Sequence, residues 1–212
     1  MKEKFLDCGT TPLGLYPIVD SVAWLKRLLP LGIKTIQLRI KNSPGAESEI
    51  QQGVLLARKY DTRLFINDYW EWAVHYGAYG VHLGQEDLQD ADLEKIRRAG
   101  LRLGVSAYCD EEIACADAVQ PSYIACGPIF PTTSKVMSFA PQGIEQLKHW
   151  RRTLNYPLVA IGGITQERLL GVLETGVNGI ALISAITKAD DPEMAARRLL
   201  TTVNQYQLGS LS

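Results

Sequence analysis

Gln37, Arg39 and Lys41 stand at alternate positions of TIQLRIK, and Ile36, Leu38 and Ile40 fill the positions between. In a strand, alternate side chains share a face. Two cations and an amide would therefore lie on one side and three aliphatic groups on the other. Buried charge is costly unless it is compensated, so two cations on an inner wall favour an anion nearby. An internal salt-bridge network with carboxylates of neighbouring strands is the alternative. Asp68, ending RLFIND, and Asp87, in GQEDLQ, add two carboxylates. Mg²⁺ is usually held by one or two carboxylates plus water and phosphate oxygens, so two Asp residues beside a cationic wall suit a magnesium-diphosphate site. Asn67-Asp68 equally suits a turn, and Asp87 a helix cap. IGGIT (161–165) and ISAIT (183–187) offer a second anion site, where Gly162 and Gly163 permit close backbone approach and Ser184 presents a hydroxyl and an amide. Between the two sites, PTTSK (131–135) supplies Thr132, Ser134 and Lys135, the last a point charge able to reach a diphosphate. An exposed turn with a solvated Lys is the plainer account of that segment.

These residues need elements to position them. Short apolar runs recur at 15–20, 35–41, 63–68, 80–84, 102–107, 123–130, 158–164 and 179–186, with helix-like segments such as SVAWLKRLL, DLEKIRRAG and TQERLLGVLETG between them. Strands alternating with helices imply parallel pairing through right-handed crossovers. Eight such units in 212 residues predict an α/β fold, a single (β/α)8 TIM barrel. Residues 1–13 read as an N-terminal extension and 205–212 as a mobile tail. The alternative is an open doubly wound sheet. Its dinucleotide-binding version needs G-x-G-x-x-G after the first strand, and LYPIVDSVAW has none. Barrel active sites lie at the carboxyl ends of the strands, so the residues above, with Asp20, His82, Gln85 and Ser106, would ring one mouth. His82 lies in an apolar strand and reads as a hydrogen-bonded core residue, and His149 as helix surface. No Ser-His-Asp order or metal-spaced His pair is present. The long irregular stretch 128–143 is expected to be functional or mobile.

Lys and Arg number 22 against 23 Asp and Glu, so bulk charge points to no polyanionic partner. Scattered basic pairs such as Arg97-Arg98, Arg151-Arg152 and Arg197-Arg198 read as solvated helix faces, not as a nucleic-acid stripe. The four cysteines show neither C-x-x-C spacing nor His partners, which fits a reducing compartment. No secretory signal is read at the N-terminus, and no apolar run reaches the roughly 18 residues of a membrane span. The expectation is a cytoplasmic protein acting on small molecules, with homo-oligomerisation left open.

QLRIK, FINDYW, GVHLGQEDL, GVS, GPIFPTTSK, APQG, VAIGGI and ISAIT occur in the order seen in thiamine-phosphate synthases. The resemblance spans roughly residues 14 to 190, and the chain closely resembles the enterobacterial form. It implies joining 4-amino-2-methyl-5-(diphosphooxymethyl)pyrimidine to a thiazole phosphate, with release of pyrophosphate. By motif, Gln37, Arg39, Lys41, Asn67, Ser106 and Lys135 would contact the pyrimidine diphosphate. Asp68 and Asp87 would bind Mg²⁺. Thr132, Thr133, Ser134, Gly163, Ile183 and Ser184 would hold the thiazole phosphate. Arg39, Lys41, Ser106 and Lys135 would form the catalytic set. The implied chemistry is dissociative: pyrophosphate leaves a pyrimidine carbocation, which the thiazole nitrogen then attacks. Such a step needs charge neutralisation and positioning more than a general base. Two positions depart from the family pattern: Ser134 replaces the commoner Thr, and Tyr108 stands where His is frequent. A thiazole tautomerase of the same fold is the competing enzyme class, although it has no diphosphate to bind. A non-catalytic phosphate sensor is a third reading.

Overall fold

Each apolar run becomes a strand, and the eight strands pair in chain order. The computed structural model describes residues 3–41, 43–132 and 140–209. The strands are β1 (Gly14–Val19), β2 (Thr35–Leu38), β3 (Arg63–Asn67), β4 (Gly80–Leu83), β5 (Arg102–Ala107), β6 (Tyr123–Cys126), β7 (Leu158–Ile161) and β8 (Gly179–Leu182). All neighbours are parallel, and β8 pairs back onto β1, with Gly14 opposite Gly179 and Tyr16 opposite Ala181. The result is a closed (β/α)8 barrel, which leaves no sheet edge exposed. Several strands end sooner than their apolar runs. β2 stops at Leu38 and β6 at Cys126, so Arg39, Lys41 and the Pro128–Phe130 segment belong to the loops at the mouth.

The period-two pattern sorts the strand residues into two cores. Ile36, Leu38, Leu64, Ile66, Val81 and Leu83 pack outward against the helices. Tyr16, Ile18, Phe65, Tyr123, Val159 and Ala181 form a separate cluster inside the barrel. Large inner rings fit because glycine faces them. A Cβ on Gly80 would lie 2.6 Å from the Phe65 ring, and one on Gly104 would overlap the ring of Tyr123. The Phe65 and Tyr123 rings meet edge to face, with centroids 5.2 Å apart, a favourable aromatic geometry.

The amino ends of the strands are sealed by the chain's own start. Phe5 is buried, its amide donating to Gln120 O at 3.0 Å, and Cys8 and Leu13 join the inner cluster. The Arg63 guanidinium donates to the carbonyls of Cys8, Thr11 and Pro12, and Arg102 to that of Asp7. At the other terminus the last helix runs Pro192–Gly209, so most of the expected tail is helical. No helix among the described residues is long and apolar enough to cross a membrane.

Candidate active site

The carboxyl ends of the strands enclose a cavity of about 400 Å³, within the usual size range of ligand pockets. The described residues that the family resemblance assigns to the site all line it: Gln37, Arg39, Lys41, Asn67, Asp68, Asp87, Ser106, Thr132, Gly163, Ile183 and Ser184. Thr133, Ser134 and Lys135 lie outside the described residues. Asp20, also gathered at the strand ends, is exposed and lies off the cavity wall. Gln85 acts from behind, its amide donating to Ser106 O at 2.7 Å. Glu86, Tyr108, Ile18, Pro128 and Ile161 also line the cavity. The three apolar members come from strand-like runs that give no sign of which end faces a ligand.

On one side lies the charged wall. Beyond β2 the chain stays extended, with Arg39 N donating to Val19 O at 2.7 Å, so Gln37, Arg39 and Lys41 keep a common direction into the cavity. Among the described residues, neither Arg39 nor Lys41 forms an ion pair. The internal salt-bridge alternative therefore has no support there. Asp68 turns sharply after β3, with φ of 65°, a left-handed conformation uncommon outside glycine. Its amide is held by His82 O at 3.0 Å. Asn67-Asp68 is thus both a turn and part of the cavity wall. Asp87 is in the first turn of the helix Gln85–Asp90, whose N-cap is Gly84.

Burial, and then the neighbouring Asp87 carboxyl to which it is hydrogen-bonded, raise the Asp68 carboxyl to about 6; Arg39 and Lys41 pull the other way. Two adjacent carboxylates that resist being charged together favour a cation between them. Among the described residues no group of three acidic, His or Cys side chains could hold a metal. The pair therefore fits a hard dication that completes its shell with water and phosphate oxygens, not a closed protein cage.

Beneath the cavity runs a chain of buried polar side chains. Gln37 Nε2 donates to Tyr16 Oη at 3.4 Å, and Tyr16 and Tyr123 hydroxyls meet at 2.8 Å. Tyr123 Oη lies 2.7 Å from His82 Nδ1, and His82 Nε2 lies 2.8 Å from Ser106 Oγ. Burial, followed by the Arg39 charge, holds His82 down to about 3, so the ring is neutral at ordinary pH. His82 is a hydrogen-bonded core residue, as its strand context implied, and it also reaches the cavity.

On the opposite side, Gly162 and Gly163 have φ of 98° and 64°. Their lack of side chains admits the segment after β6. A Cβ on Gly162 would lie 2.6 Å from Pro128, and one on Gly163 would strike Pro131 O and Phe130. Ile129 N and Phe130 N donate to Ile161 O and Gly162 O at 2.9 and 3.0 Å. The glycines thus clamp the start of the 128–143 stretch while keeping their backbone at the cavity wall. Arg168 braces this turn, donating to Gly163 O at 2.6 Å and stacking over Phe130.

Comparison with known proteins agrees with this geometry. Residues 15–186 match the family model described as thiamine monophosphate synthase. The chain is 56% identical to the thiamine-phosphate synthase of Photorhabdus laumondii over 199 residues, 92% of each chain. It is 59% identical to that of Cronobacter sakazakii over 191 residues, 89% of this chain and 91% of the relative. Among solved structures, it is similar to the thiamine phosphate pyrophosphorylase from Pyrococcus furiosus, with a TM-score of 0.80 and 34% identity over 92% of this chain and 96% of that one.

Proposed function

The chain belongs to the thiamine monophosphate synthase family, and from that premise we propose that it joins a hydroxymethylpyrimidine diphosphate to a thiazole phosphate, giving thiamine phosphate and pyrophosphate. It is a transferase. The observation that carries the reading is the pairing of Asp68 and Asp87 beside Arg39 and Lys41, two cations with no ion-pair partner among the described residues. A departing diphosphate needs such a counter-charge, and a phosphate-only substrate does not.

In this reading Gln37 and Asn67, both buried, fix the pyrimidine end, and Arg39 and Lys41 receive the diphosphate. Asp68 and Asp87 would hold Mg²⁺, which when bound would neutralise charge on the diphosphate oxygens as the carbon–oxygen bond breaks. Ser106 would contact the pyrimidine diphosphate from the wall between the two halves. Thr132, Gly163, Ile183 and Ser184 would seat the thiazole phosphate across the cavity. The bond breaks heterolytically, both electrons leave with pyrophosphate, and the pyrimidine amino group delocalises the positive charge. The thiazole nitrogen then donates its lone pair to that carbon. No proton need be abstracted, in keeping with a cavity whose histidine is neutral and whose polar groups bind and orient. Ile18, Pro128 and Ile161 supply apolar walls that limit capture of the cation by water. Lys135, assigned by motif, would add a third cation. We read the enzyme as cytoplasmic, in keeping with its four free cysteines.

The test is incubation of the purified protein with both substrates and MgCl₂. Thiamine phosphate by mass and an equal yield of pyrophosphate are expected. A protein that tautomerises the thiazole phosphate yet releases no pyrophosphate would overturn the reading.

A further inference from the structure

The polar chain beneath the cavity has a direction, and its direction has a consequence at Ser106. We infer that His82 is a positioning residue that donates from Nε2 to Ser106 Oγ and so commits the Ser106 proton to the cavity. Gln37 presents its amide nitrogen to Tyr16 Oη, so the Tyr16 oxygen accepts and its own proton is free for Tyr123. Tyr123 then gives its proton to His82 Nδ1. In a neutral imidazole one nitrogen accepts and the other donates, so the ring proton is on Nε2, facing Ser106 Oγ. A hydroxyl that accepts one such bond keeps its single proton for another partner, and the open side of Ser106 is the cavity. The reverse polarity would aim the Tyr16 proton at an amide donor in a fully buried place, leaving a donor unsatisfied. The same His82 also holds the Asp68 amide through its backbone carbonyl, at 3.0 Å. One residue therefore braces both the carboxylate pair and the serine.

The proposal deepens the reading of the cavity as a pyrimidine-diphosphate site and rests on it: Ser106 would be a hydrogen-bond donor to that substrate, not an acceptor. Tyr16 and Tyr123 lie behind the cavity wall, so they act on turnover through their hydrogen-bonded neighbours, Tyr123 through His82 and Tyr16 through Tyr123 and Gln37.

Nitrogen-15 NMR of histidine-labelled protein tests the polarity, with the His82 signal assigned by its loss in His82→Gln. The wild-type ring is expected to carry its proton on Nε2 alone. Tyr123→Phe removes the donor to Nδ1 and is expected to shift the ring toward a mixture of tautomers. In steady state, Tyr123→Phe and Tyr16→Phe should each lower kcat about two- to tenfold, the worth of one lost hydrogen bond, with KM for the thiazole phosphate changed by less than about twofold. A wild-type ring protonated on Nδ1, or full kcat in both phenylalanine variants, would overturn the proposal. A wild-type protein that makes no thiamine phosphate would instead defeat the functional reading, and the ring-proton assignment would still decide this one.

Discussion

Asp68 meets two costs in a single residue. Its backbone is left-handed and its carboxyl faces a second carboxyl. Such local strain tends to persist where the surrounding structure enforces it for function. Asn tolerates the same backbone region, so Asp68→Asn keeps the turn and removes the charge. Turnover should fall on the order of a hundredfold or more, because a metal's charge stabilisation is worth several kcal/mol. Stability should move the other way when metal is absent. The folded-state value of about 6 lies above the ordinary carboxylate value of 3.8, so the folded protein binds this proton more tightly than the unfolded chain does. The resulting penalty is present above pH 6 and fades as pH falls toward 4. After allowance for partial exposure it is about 1 kcal/mol, or roughly 2–4 °C for a chain of this size. Thermal melts in EDTA should show Asp68→Asn melting above wild type at pH 8, with the gap closing by pH 4.5. A variant no more stable than wild type at pH 8 would mean that burial and the neighbouring Asp87 carboxyl do not penalise the charged form of Asp68.

At the scale of elements, β5 and β6 meet where glycine faces an aromatic ring. Tyr123 is held at its hydroxyl by both Tyr16 and His82, so its ring cannot yield to a methyl group on Gly104. Gly104→Ala is expected to destabilise by about 1–3 kcal/mol, the usual cost of overpacking, and to lower kcat by disturbing His82. Gly80→Ala presses on Phe65, which has no hydroxyl in the chain, so it should lower the urea midpoint comparably while sparing kcat. Equal kcat loss in the two variants would count against this distinction. The elements themselves were readable from sequence: eight apolar runs mark eight strands, and the alternation through residues 36–41 aims the cations inward. Charge and period are local signals. The Tyr16–Tyr123–His82 chain was not readable, because Tyr16 sits in an apolar run and its partner is 107 positions away. The strand ends were overrun for a related reason. Apolar residues such as Ile40 and Ile129 continue past the last ladder bond to pack at the mouth, and hydropathy does not show where pairing stops. Gly162-Gly163 was legible as a site of close approach, but the approaching backbone is the chain's own segment after β6.

At the scale of the whole molecule, the barrel divides its tasks between its ends. Phe5 is buried at the amino ends of the strands and lies under Arg97, far in the fold from the carboxyl-end cavity. Phe5→Ala should cost about 3 kcal/mol, on the order of 6–12 °C in melting temperature, with kcat at 25 °C unchanged within about twofold. Calorimetry beside an activity assay would check both parts, and a large drop in kcat would show that the two ends are coupled. The N-terminal stretch that closes the barrel also governs traffic. With Cys8, Leu13 and the inner aromatic layer packed inside the barrel, the described residues close the cavity from below. Gln37 and Asn67 lie deep in it, whereas Ser184 is exposed at its rim. On the proposed assignment the pyrimidine diphosphate enters first, and the thiazole phosphate then stands between it and the rim. An inert thiazole phosphate analogue should accordingly inhibit uncompetitively against the pyrimidine diphosphate; competitive inhibition would show that the queue can form in either order.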